Sequence, residues 1–168
     1  MLFFTADTHF HHEKIIGYCD RPFTSIIDHD QALIDNWNSV VKDSDEVWIL
    51  GDFSFSDPRF YLEKLKGRKR LIRGNHDYKN WKTMPWELPL VELKHQGRML
   101  ILCHYPLMSW RASSHLHTIH LHCHCHGKLT HKGLAMDVGV DVNEYKPVSF
   151  DQVIVRMDAK RKEIVEGN

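Results

Sequence analysis

The 168-residue chain carries 22 Lys plus Arg against 22 Asp plus Glu. Its formal charge is zero, which disfavours the broad basic surface that grips duplex nucleic acid. Hydrophobic residues make up 42% and charged residues 26%, a balance that excludes a disordered tail and suits a single folded domain over residues 1–168. No apolar run approaches the roughly 18 residues of a membrane span, and the start Met1-Leu2-Phe3-Phe4 lacks the regions of a signal peptide. The expectation is a cytoplasmic protein with four reduced cysteines, Cys19, Cys103, Cys123 and Cys125.

In chain order, Leu2 to Ala6 reads as a buried strand. Asp28 to Val41 reads as an amphipathic helix, with Leu33, Ile34, Trp37 and Val40 at helical spacing. Glu46 to Leu50 is a second strand ending at Gly51-Asp52. Pro58 to Lys66 predicts a helix, with Pro in its first turn and Gly67 beyond its end. Lys69 to Arg73 is a third strand, ending at Gly74-Asn75-His76-Asp77. After a Pro- and Trp-rich connection, Leu88 to Lys94 and Arg98 to Cys103 form strands joined at Gln96-Gly97, and His104 follows. Ile119 to Cys125 and Ala135 to Val140 are further strands. Ser149 to Met157 reads equally as a strand, from Val153-Ile154-Val155, or as a helix capped by Ser149-x-x-Gln152. Alternating β and α elements followed by successive strands argue for a mixed α/β sandwich.

Fourteen histidines stand out, seven of them between His115 and His131. Nitrogen and oxygen donors also recur just beyond the strands: Asp7 and His9, then Asp52, then Asn75 and His76, then His104, then His124 and His126. Each alone reads as an ordinary turn or helix cap. Together they read as one site, because loops at the carboxyl ends of strands converge on a common crevice. If the sixth strand runs to Cys125, its alternation aims His124 and His126 to the same side.

Asp7-x-His9, Gly51-Asp52, Gly74-Asn75-His76-Asp77, His104 and His124-Cys125-His126 occur in the order of the calcineurin-like metallophosphoesterase motifs. The chain resembles that family, in particular its small bacterial and phage members. The resemblance implies a four-layer αββα sandwich of two mixed sheets flanked by helices. It implies Asp7, His9, Asp52 and His126 around one divalent ion, with Asp52, Asn75, His104 and His124 around a second. Asp52 bridges the two, and His76 matches the catalytic histidine that serves the leaving group. Mn²⁺ suits such donors best, with Zn²⁺, Fe²⁺ or Ni²⁺ as alternatives.

The implied activity is hydrolysis of a phosphate mono- or diester by an ion-activated hydroxide. A small phosphodiester or nucleotide is the favoured partner. A single-strand nuclease and a degenerate metal-binding module are the alternatives. Arg21 is a candidate for binding substrate phosphate, and Asp77 for capping a following helix. One position departs from the pattern: Cys123 stands where the family has glycine before His124. That predicts a rearranged, strained loop if the position demands a positive φ. The oligomeric state is not legible.

Overall fold

The structure, a computed structural model, describes residues 1–77 and 84–167. Its elements are β1 (Leu2–Thr5), α1 (Ile15–Tyr18), α2 (Ile26–Val40), β2 (Glu46–Ile49), α3 (Pro58–Leu62) and β3 (Arg68–Leu71). They continue with β4 (Leu90–His95), β5 (Arg98–Cys103), β6 (Thr118–His122), β7 (Ala135–Asp137), β8 (Val148–Ser149) and α4 (Phe150–Glu166). Residues 78–83, in the Pro- and Trp-rich connection, lie outside the described residues. So does the helix expected after Asp77.

Two four-stranded mixed sheets pack face to face, flanked by helices. The first has the order β3-β2-β1-β8, with β1, β2 and β3 parallel and β8 antiparallel to β1. The second has the order β4-β5-β6-β7, in which β4 and β5 form an antiparallel hairpin and β5, β6 and β7 run parallel. Gln96 and Gly97 both adopt positive φ in that hairpin's turn, as a tight turn matched to strand twist requires.

Alternation along the strands builds two cores. Phe4, Trp48 and Leu50 meet Leu100, Leu102, Ile119 and Leu121 between the sheets, and α4 contributes Phe150, Val153 and Met157. Phe3, Val47 and Ile49 face outward onto Leu33, Ile34 and Trp37 of α2 and onto Tyr61 and Leu65. Strands buried on both faces read as unbroken apolar runs, which explains why they were visible in sequence.

Two expectations are corrected and one open reading is resolved. The helix predicted over Pro58 to Lys66 ends at Leu62. Beyond it, the carbonyls of Lys64 and Lys66 accept hydrogen bonds from Asn38 Nδ2 (2.9 Å) and Trp37 Nε1 (3.0 Å) of α2. Ser149 to Met157 is helical after the two-residue β8, with Ser149 and Gln152 forming a reciprocal capping box. Finally, β6 stops at His122 rather than Cys125. The His124 N–H leaves the ladder and donates to Asp7 Oδ2 at 2.8 Å.

Candidate metal centre

Five parallel strands drawn from both sheets end at one crevice. Loop β1 carries Asp7 and His9 there, loop β2 Asp52, loop β3 Asn75 and His76, loop β5 His104, and loop β6 His124 and His126. The backbone itself zips the first two loops together, through Asp7 N–H to the Gly51 carbonyl (3.1 Å) and His9 N–H to the Asp52 carbonyl (3.0 Å).

The glycines of the motifs are needed for close approach. A Cβ on Gly51, at φ +104°, would stand 2.6 Å from the Gly74 backbone and 2.7 Å from His104 Nδ1. A Cβ on Gly74 would stand 2.2 Å from Asp52 Oδ1. Only backbone without side chains lets loops β2 and β3 lie this close. Asp77 fastens them. Its carboxylate accepts from the N–H groups of Asp52 (2.8 Å), Phe53 (3.0 Å) and Gly74 (2.8 Å). Asp77 is therefore a clamp between loops; the helix that it was expected to cap lies outside the described residues.

Among the described residues four groups of ligand-type atoms gather, two of them being Asp7–His104–Cys123 and Cys19–His126–Asp141. In the other two, Asp7, His9 and His126 each offer a donor atom within 4.8 Å of the others, and so do Asp52, His104 and His124. Asp52 Oδ2 lies 3.7 Å from both His9 Nε2 and His104 Nε2, and 3.9 Å from His76 Nε2. It faces both sets. Asn75 Oδ1 lies 2.8 Å from His104 Nε2.

Three observations test whether cations fit these donors. Asp7 Oδ1 and both ring nitrogens of His9 are buried without a hydrogen-bond partner, although such atoms ordinarily find one. His104 Nδ1 sits 2.9 Å from the Leu50 carbonyl and is placed to donate to it, which leaves Nε2 a bare lone pair directed at the Asn75 amide oxygen. Burial also holds His9 far below the ordinary imidazole range and His104 at about 4, so both rings are neutral, as ligands must be. Against burial, the hydrogen bond to Asp141 raises His126 to about 10, so that an ion there would have to displace a proton. Burial raises Asp7 to about 7 and raises Asp52: each carboxylate lacks enough positive charge nearby. The set fits divalent cations.

Arg21 is not at the mouth of the crevice. Its side chain is buried and all five of its N–H donors are engaged by Asp141, Asp7, Thr8 and His29. None remains for a substrate phosphate, which corrects the substrate-binding expectation. His76 is exposed at the edge of the site, its backbone N–H donating to Asp52 Oδ1 at 2.9 Å. The strain expected at Cys123 is absent, since its φ is not among the positive values. Its buried thiol lies 3.1 Å from the Leu50 carbonyl, and burial pushes its pKa up, so it remains a thiol. The left-handed residue is the next one, His124, at φ 74°.

The histidine-rich stretch divides. His124 and His126 reach the crevice, whereas His120 is a buried structural ring whose nitrogens contact the Ile101 carbonyl (2.9 Å) and the Leu107 N–H (3.0 Å). Trp110 packs on that ring at 5.1 Å. Two neighbours of the site went unread in the sequence, Cys19 and Asp141. Asp141 accepts from His126 Nδ1 at 2.7 Å. It follows β7 as the other site residues follow their strands, a signal that could have found it.

No protein-family model matches the chain. It is 36% identical, over 96% of its own length and 93% of the relative's, to the uncharacterised protein MJ1445 of Methanocaldococcus jannaschii. In structure it resembles AQ665 of Aquifex aeolicus, a protein of unknown function, with a TM-score of 0.71 and 26% identity over 93% of this chain and 98% of that one. A much looser overlap joins it to a Streptococcus pneumoniae protein described as a predicted phosphoesterase. There the TM-score is 0.39 and the identity 16%, over 74% of this chain and 62% of that one, too little to carry chemistry across. At this level of identity and coverage, the chain belongs to the family of MJ1445.

Proposed function

We propose that this member of the MJ1445 family is a metal-dependent phosphoesterase that hydrolyses a small phosphodiester or nucleotide. The observation that carries the reading is the convergence of Asp7, His9, Asp52, Asn75, His104, His124 and His126 from five strand ends, with buried donor atoms left unpartnered. The order of these motifs resembles that of calcineurin-like metallophosphoesterases. Asp7, His9, Asp52 and His126 would hold one divalent ion, and Asp52, Asn75, His104 and His124 the other. Mn²⁺ is the favoured ion for such carboxylate, amide and imidazole donors. Bound ions of this kind supply Lewis acidity and a water of lowered pKa.

The remaining chemistry belongs to the chain. Asp52 balances charge across both ligand sets from its one carboxylate. His76, exposed and tethered to Asp52 through its backbone, delivers a proton to the departing oxygen. General acid catalysis of this kind is worth about 10²–10⁴-fold. With zero net charge and Arg21 engaged, a substrate phosphate is left to be recognised chiefly by the ions.

The test is a matrix of Mn²⁺, Zn²⁺, Mg²⁺ and Ni²⁺ against aryl mono- and diesters, cyclic nucleotides and single-stranded DNA. Turnover of small diesters without strand cleavage is expected. In the same assay His76→Ala should retain metal, lose about 10²–10⁴-fold on nucleoside leaving groups and lose far less on nitrophenolate, which leaves without a proton. DNA degradation would redirect the reading to a nuclease, and inactivity with every metal would overturn it.

A further inference from the structure

Arg21 and Asp141 are 120 residues apart in sequence and form a closed ion pair in the structure. Arg21 Nε donates to Asp141 Oδ1 at 2.7 Å, and one terminal nitrogen donates to Asp141 Oδ2 at 2.8 Å. That same nitrogen donates to the Asp7 carbonyl at 2.7 Å. The other terminal nitrogen reaches the Thr8 carbonyl at 3.0 Å and His29 Nε2 at 2.7 Å. His29 Nδ1 lies 2.8 Å from Asp30 Oδ1; donating there leaves Nε2 free to accept. One planar guanidinium therefore holds the Asp7-Thr8 backbone leading into His9, while its partner, Asp141, accepts from His126 Nδ1 at 2.7 Å. A hydrogen bond at Nδ1 fixes the ring's orientation and would leave Nε2 as the lone pair once an ion displaces its proton.

The pair's direct contacts fall on the loops of Asp7 and His126, and reach His124 and loop β2 only indirectly, through Asp7 Oδ2 and the loop backbone. Asp7, His9 and His126 belong to the first ligand set, and all three lie on the segments that Arg21 and Asp141 hold. The second set is oriented by other groups: the Leu50 carbonyl on His104 and the Asp77 clamp on loop β2. Holding a left-handed segment in place also needs an anchor, since Asp7 and His9 sit at φ 53° and 50°.

We infer that Arg21 and Asp141 are positioning residues that build the Asp7–His9–His126 half of the centre, and that their loss converts a two-ion site into a one-ion site. The inference rests on the metal-centre reading proposed above. Lysine cannot replace Arg21, because a single ammonium cannot span a bidentate carboxylate and two carbonyls at once.

The experiment titrates the metal-free full chain with Mn²⁺ alone, reading stoichiometry by calorimetry and ion–ion coupling by electron paramagnetic resonance. Wild type should take two ions per chain with an exchange-broadened spectrum. Arg21→Met/Asp141→Leu removes the pair without stranding a buried charge. With its fold checked by circular dichroism, it should bind one ion normally and the other about 10–100-fold more weakly, showing the six-line spectrum of isolated Mn²⁺. Arg21→Lys keeps the charge balance should the double variant fail to fold, and it should weaken the same single step. Two ions bound at wild-type affinity by either folded variant would overturn the inference alone. Wild type that fails to take two ions would overturn the metal-centre reading and this inference with it.

Discussion

At the scale of single residues, the centre is built from strained backbone. Asp7, His9, Asp52, His124 and His126 all adopt left-handed φ between 48° and 74°, a region that costs a non-glycine residue roughly 1–2 kcal/mol. Strain of this kind collects at functional sites, where surrounding contacts over-determine it. His124→Gly should therefore lower metal uptake while leaving the metal-free fold about 1 kcal/mol more stable than His124→Ala. Cys123→Gly should behave oppositely, losing on the order of 1–2 kcal/mol because it removes a buried side chain from a backbone that has no need of glycine. Denaturant midpoints of the three variants check both statements. Equal stability of the two His124 variants would remove the strain argument. The sequence pointed to the ligand types but assigned the unusual backbone to Cys123, one residue too early, because φ leaves no mark on residue identity unless glycine is present.

At the scale of elements, β1, β2 and β5 were legible because burial on both faces makes them nearly continuous apolar runs. Strand ends were less so. The β6 pattern Thr-Ile-His-Leu-His-Cys-His-Cys-His alternates without a break, so alternation alone extends the strand to Cys125. The Asp7 carboxylate ends it by capturing the His124 N–H, and that partner lies 117 residues away. The same strand carries a pH dependence. His120 is buried at 0% exposure and its pKa is lowered to about 4, chiefly by burial. The unfolded chain, with an imidazole near 6.5, takes up the proton first. Stability thus rises with pH through this window and is lost as pH falls from about 6.5 towards 4. The His120 contribution to the slope is about 1.4 kcal/mol per pH unit. Urea unfolding at pH 7.5 and pH 5.5 should show this loss, diminished in His120→Gln. An identical pH slope in the variant would place the acid sensitivity elsewhere.

At the scale of the whole molecule, two sheets with separate strand orders meet so that carboxyl ends from both face one crevice. The sandwich, and the seven candidate donor residues that meet at one crevice, could be read from motif order, since each motif is local. Arg21 could not be read correctly, and the clamp at Asp77 and the role of Asp141 could not be read at all, because they are set by partners on other loops: a guanidinium that looked free is saturated, and a carboxylate beside the motif histidine ties two loops together. The two proposed ligand sets share only Asp52, which makes that residue the pivot of the proposal. The decisive measurement is the number of Mn²⁺ ions bound per chain by wild type and by Asp52→Asn, which keeps the shape and removes the charge. Two ions on wild type, and at most one on a folded Asp52→Asn with nearly all phosphodiester hydrolysis lost, is the predicted result. Two ions and near-normal hydrolysis in the variant would contradict it.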